Sequence, residues 1–141
     1  MFLDASVVAA VLLQEEDGPA FLKAMEAARG SLRYSPIVRL EATLALVRKR
    51  VERRDKRPAT AEDFAAATDL VDELLKALEA KEMHITGSMG AEAIRALSVY
   101  GKVVGHPAQL NMGDALSYAC AKAFHVPLLY KGDDFSRLQT H

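Results

Sequence analysis

The chain has 141 residues, 50% of them hydrophobic and 26% charged, with a formal net charge of −1. That is the size and balance of one globular domain over residues 1–141, long enough to bury a core without staples, and the near-neutral charge carries no bulk signature of a nucleic-acid binder. The single cysteine, Cys120, excludes an internal disulfide and points to a reducing cytoplasm, and no stretch approaches the roughly 18 uninterrupted apolar residues of a membrane span.

In chain order, Met1-Phe2-Leu3 reads as a short apolar strand ending at Asp4, after which Val7, Val8, Val11 and Leu12 recur at helical spacing. Asp4 and Ser6 interrupt this apolar start and no basic segment precedes it, so no targeting signal is expected. Asp17-Gly18-Pro19 opens a second helix carrying Phe21, Leu22 and Met25, which Gly30 ends, and Ser31 to Tyr34 forms a second strand. Ser35-Pro36 is a strong helix start, serine at the cap and proline at the first position, where its missing N–H costs nothing. Ile37, Leu40, Leu44 and Val47 line one face of that helix, with Glu41 on its flank.

The run RKRVERRDKR from Arg48 to Arg57 is strongly basic, and Pro58 with Thr60 then marks a break and a cap for a long helix through Phe64, Leu70, Leu74, Leu75 and Leu78. Met83 to Thr86 resembles a third strand, Gly87 to Gly90 a turn, and Ala93, Ile94, Leu97 and Tyr100 a helix closed by Gly101. Lys102 to Leu110 is expected to be a loop, and Leu116, Cys120, Ala123 and Phe124 define a helix opening near Asp114. Val126 to Tyr130 is a fourth strand with Pro127 at its start, followed by the turn Lys131-Gly132-Asp133-Asp134-Phe135. Short strands alternating with helices predict an α/β protein, helices layered on both faces of a short, mainly parallel sheet. Ligands in such sheets sit beyond the carboxyl ends of the strands, where Asp4 and the Asp133-Asp134 pair fall.

Acidic residues beside apolar neighbours at element ends need a reason. Carboxylates brought together repel one another unless a cation neutralises them. Oxygen ligands with no Cys or His set at zinc spacing point to Mg2+ or Mn2+ rather than zinc, and such an ion suits phosphodiester hydrolysis. Each acid has an ordinary reading too: Asp4 or Asp114 as a helix cap, Glu41 reaching solvent, Asp133-Asp134 as a plain turn. Beyond Gly87-Ser88-Met89-Gly90 there is no Gly-rich phosphate loop, and no serine elbow or cysteine nucleophile setting offers a competing chemistry.

Four segments carry a resemblance: FLDASVVAAVLLQEE, the acid within SPIVRLEATLAL, LNMGDALSYACAKAF and PLLYKGDDFSRL. In that order they resemble the four signatures of the PIN-domain family, most closely the VapC ribonuclease toxins of type II toxin-antitoxin systems. The resemblance implies a three-layer α/β/α sandwich and a Mg2+- or Mn2+-dependent endoribonuclease whose acids fall on Asp4, Glu41, Asp114 and Asp134, with Asp133 ranked second for the fourth place. It implies that Asp4, Asp114 and Asp134 hold metal, and that Glu41 ligates it or orients the nucleophile. A hydroxyl often follows the family's first aspartate; Ala5 takes that place here, leaving Ser6 as the polar helper. A cognate VapB-type antitoxin and a homodimer are further implications, and the alternatives are another metal-dependent nuclease or phosphoesterase, or a non-catalytic module that binds RNA or antitoxin.

The basic run holds seven basic residues against two acidic ones, a local positive field that attracts RNA phosphates or an acidic antitoxin segment. It also fits a solvated helix end, where cations complement the helix dipole. Arg48, Lys49 and Arg50, together with Lys131 beside the last acidic motif, are the candidates for contact with substrate or partner.

Overall fold

The structure of the protein, a computed structural model, describes residues 1–54 and 57–132. The order is β1 (Phe2–Leu3), α1 (Ala5–Leu12), α2 (Gly18–Ala27), β2 (Arg33–Tyr34), α3 (Pro36–Glu52), α4 (Ala61–Ala77), β3 (Lys81–Glu82), α5 (Gly87–Tyr100), a single 3-10 turn (Lys102–Val104), α6 (Met112–Ala123) and β4 (Leu128–Leu129).

Helix starts follow from side-chain chemistry. The Ser35 hydroxyl accepts from Val38 N–H at 3.3 Å, and Pro36 occupies the first turn. Thr60 and Asp63 form a reciprocal capping box for α4, as do Asn111 and Asp114 for α6. Asn111, not Asp114, is therefore the cap residue of α6.

All strand pairings are parallel, in the order β3-β2-β1-β4, with Phe2 opposite both Arg33 and Leu128. Phe2 and Leu3 are fully buried, as expected for a central strand covered on both faces. From β1 the chain moves outward through β2 to β3, then returns to place β4 on the other side of β1. With right-handed crossovers, that reversal puts the helices between β1 and β3 on one face and α5 with α6 on the other. The point of reversal lies between β1 and β4, the crevice where open α/β sheets bind ligands. At the carboxyl end of this pair, Asp4 N–H donates to Leu129 O at 3.0 Å.

Two expectations need correcting. The third strand is Lys81–Glu82, both exposed, and not Met83 to Thr86. As the sheet's edge it needs no apolar alternation, and its ladder runs only as far as Met83 N–H to Tyr34 O at 2.8 Å. Gly87 to Gly90 is no turn but the opening of α5: Thr86 is its cap, accepting from Met89 N–H at 3.3 Å. The expected loop from Lys102 to Leu110 contains the 3-10 turn and is pinned by a parallel bridge between Gly101 and Leu110.

Candidate active site

Asp4 reaches the site from the end of β1. It is 5% exposed and both carboxylate oxygens are engaged: Oδ2 accepts from Ser6 N–H at 3.0 Å, and Oδ1 accepts from the Ser117 hydroxyl at 2.7 Å. Asp4 is thus the N-cap of α1, the ordinary reading of this acid. The partial positive charge at the helix start makes burial of a carboxylate there tolerable.

Asp114 reaches the same place from α6. It is in the first turn, where its Oδ2 accepts from Asn111 N–H at 3.1 Å while Asn111 Oδ1 accepts from Asp114 N–H at 2.9 Å. This acid also sits at a helix N-terminus.

Glu41 differs from both, because mid-α3 supplies neither cap nor dipole. Its pKa is raised, first by burial, then by the charge of Asp4, then by that of Asp114, while Arg48 opposes the shift. β1, α3 and α6, far apart in sequence, thereby bring Asp4, Glu41 and Asp114 into one electrostatic neighbourhood. Among the described residues no three acidic, histidine or cysteine side chains converge closely enough to hold an ion by themselves. The fourth acid, Asp134 or Asp133, lies outside the described residues.

Gly113, immediately before Asp114, explains how Glu41 fits. A Cβ at position 113 would overlap the Glu41 carboxylate, Oε1 most of all. Glycine is required here for close approach, since its φ is not in the left-handed region. The Gly-Asp pair was visible in the sequence as a helix start, but nothing there showed that the glycine makes room for Glu41.

Ser6 meets Asp4 through its backbone N–H. Its hydroxyl accepts from Lys131 N–H at 2.9 Å, tying the segment after β4 to the first turn of α1. Lys131 Nζ lies 3.0 Å from Glu15 Oε2 and 3.2 Å from Asp17 Oδ1. Of the other candidate cations, Lys49 lies 3.7 Å from Glu52, and Arg50 lies 2.9 Å from Asp63, a buried acid that Arg54 also holds. Arg48 is exposed, and its charge reaches Glu41. Cys120 is buried, and desolvation pushes its thiol up to about 11, so it stays a protonated core group.

The sequence model of the PIN-domain family matches residues 1–140. The chain is 41% identical over 136 residues to a VapC ribonuclease of Rhizobium meliloti (strain 1021), an alignment covering 96% of each. It is 33% identical over 137 residues to ribonuclease VapC42 of Mycobacterium tuberculosis, covering 96% of this chain and 93% of that one. Among solved structures, Mycobacterium tuberculosis VapC20, a Sarcin-Ricin loop cleaving toxin, superposes with a TM-score of 0.67 at 17% identity, over 96% of this chain and 92% of that one. At that identity the likeness speaks for the fold.

Proposed function

The chain belongs to the PIN-domain family, in its VapC group, and from that premise we propose that it is the endoribonuclease toxin of a toxin-antitoxin pair, cutting RNA at the site built by Asp4, Glu41 and Asp114. The observation that carries the reading is the seating of the Glu41 carboxylate against Gly113, next to Asp114, with the charges of Asp4 and Asp114 both reaching it.

The donor set fits a hard divalent ion: every group is a carboxylate oxygen, and their mutual repulsion is relieved by a cation. Asp4, Glu41 and Asp114, with Asp134 or Asp133 as the fourth acid, would hold Mg2+ or Mn2+. Once bound, such an ion supplies activation of water and neutralisation of charge on the phosphoryl oxygens. Hydrolysis adds water to phosphorus, breaks one P–O ester bond and delivers a proton to the departing oxygen. Glu41, which no helix cap or helix dipole engages, is the acid suited to ligate the ion or orient the attacking water. Asp4, held at both oxygens, and Asp114, held by its capping box, supply fixed negative charge around it.

Arg48 is the cation we assign to substrate, because Lys49, Arg50 and Lys131 face acids of the chain itself. It stands seven residues beyond Glu41, two helical turns or about 10 Å along α3.

The antitoxin reading is supported by a groove of about 210 Å³ whose apolar floor includes Leu13, Leu46 and Leu70, with Arg53 on its rim beside the already paired Lys49 and Arg50. An acidic amphipathic helix is complementary to that surface. A homodimer is supported by exposed apolar side chains, Ile94 and Val99 on α5, Val103 and Val104 after it, and Met112 on α6. No helix among the described residues is long and apolar enough to cross a membrane, and the buried thiol of Cys120 suits a reducing cytoplasm.

The test is cleavage by the purified chain in Mg2+ of single-stranded RNA, single-stranded DNA and a small phosphate ester, each with and without chelator. Only the RNA is expected to be cut, and only without chelator. Cleavage of DNA or the ester would favour a broader phosphoesterase, and RNA binding without cleavage a non-catalytic module.

A further inference from the structure

The bond between Ser117 and Asp4 joins two buried side chains from distant parts of the chain. Ser117 is mid-helix on α6 and 2% exposed, among the buried residues Ala115, Tyr118, Ala119 and Cys120. A buried hydroxyl in such surroundings is costly unless bonded, and helical serines commonly return their proton to their own helix's backbone. This one instead crosses to a strand end 113 residues away, giving its proton to Asp4 Oδ1 at 2.7 Å. Hydrogen bonds to an ionised acceptor are short and strong, and this one spans two layers of the fold.

Its placement is informative. Ser117 is three residues after Asp114, so the hydroxyl and that carboxylate occupy neighbouring positions on one face of α6. The Ser6 N–H grips the other oxygen of Asp4 from α1. One donor therefore ties Asp4 to the helix it caps, and the second ties it to the helix that carries Asp114.

We propose that Ser117 is a positioning residue that fixes the Asp4 carboxylate relative to Asp114 and so presets the acidic site for a divalent ion. The role rests on the metal-dependent nuclease reading. Without the hydroxyl, Asp4 keeps a single anchor and its carboxylate turns about the Cα–Cβ and Cβ–Cγ bonds. Ion binding must then restore the geometry. Partners that orient metal-binding carboxylates in this way affect ion affinity or activity by about 10- to 100-fold when removed.

The experiment uses the full chain with Ser117→Ala, which deletes only the hydroxyl, and Ser117→Thr, which keeps it. Mn2+ binding is measured calorimetrically without RNA, alongside thermal unfolding in chelator and kcat and KM for RNA. Ser117→Ala is expected to melt as a folded protein, to bind Mn2+ about tenfold more weakly or worse, and to lose kcat with KM for RNA unchanged; Ser117→Thr recovers most of the Mn2+ affinity. A folded Ser117→Ala chain with parental Mn2+ affinity overturns the proposal, as does a folded Ser117→Thr chain that binds Mn2+ no better than Ser117→Ala. If the parent binds Mn2+ but cuts no RNA, and Ser117→Ala still weakens the ion, the ribonuclease reading falls and the positioning role stands.

Discussion

Glu41 and Gly113 form a pair whose halves have opposite consequences for stability and activity. The atom that a Cβ at position 113 would strike is the end of a flexible side chain, so Gly113→Ala is expected to fold normally while driving the Glu41 carboxylate out of place. RNA cleavage should fall by about 100-fold, the scale of misplacing a catalytic group by an ångström, with an unchanged circular dichroism spectrum; full activity would show that Glu41 needs no such seat. Glu41→Gln tests the electrostatics. A carboxyl whose folded pKa is raised above its unfolded value of about 4.3 destabilises the fold when ionised, and that cost is present above the folded pKa and vanishes as pH falls below the unfolded one. In chelator at pH 7.5 Glu41→Gln should therefore melt no lower than the parent, the difference closing near pH 4, while cleavage is lost. At this scale the sequence was legible in part: the charges of Asp4 and Asp114 do reach Glu41, although no three acids close on one point among the described residues. Ser117 was not, because a serine three residues into a helix face looks ordinary until its partner, 113 residues away, is seen.

The α3–α4 pair shows how an element spends charges that looked available. Asp63 is 1% exposed and receives Arg50 Nε at 2.9 Å and Arg54 Nη2 at 2.7 Å, with the Thr60 N–H at 2.8 Å. Two arginines of the basic run are thus structural clamps on the start of α4, which weakens the reading of that run as one undivided field. Arg54 first, and the Thr60 N–H after it, hold the Asp63 carboxyl well below the usual carboxylate range. A depressed folded pKa gives stability that is present above the unfolded value, about 3.9, and lost as pH falls toward the folded one. Asp63→Asn is accordingly expected to lower the melting temperature by several degrees at pH 7 and by progressively less below about pH 4; an equal loss at pH 7 and pH 3 would remove the ion pairs as its cause. The starts of α3 and α4 were readable because Ser35-Pro36 and Thr60 carry local capping chemistry. β3 was misplaced because an exposed edge strand, Lys81–Glu82, has no apolar alternation to announce it.

Across the whole molecule, the order β3-β2-β1-β4 sets β1, and Asp4 at its end, beside β4 rather than at an edge of the sheet. Alternation of strands and helices predicted the parallel sheet but not the return of β4 beside β1, which depends on long-range pairing. The field over that end is expected to steer RNA through Arg48: Arg48→Ala should raise KM about tenfold with kcat little changed, and reduce the slope of log affinity against log salt by about one contact's worth, ~0.7 for a single strand. An unchanged salt slope would place the RNA backbone elsewhere. The central claim is that Asp4, Glu41 and Asp114 act together on a phosphodiester. Single-turnover cleavage of RNA in Mg2+ by Asp4→Asn, Glu41→Gln and Asp114→Asn, each with its RNA affinity measured in parallel, tests it most directly: each variant should cleave at least about 100-fold more slowly while binding RNA as the parent does, and parental cleavage by any of the three would contradict the account.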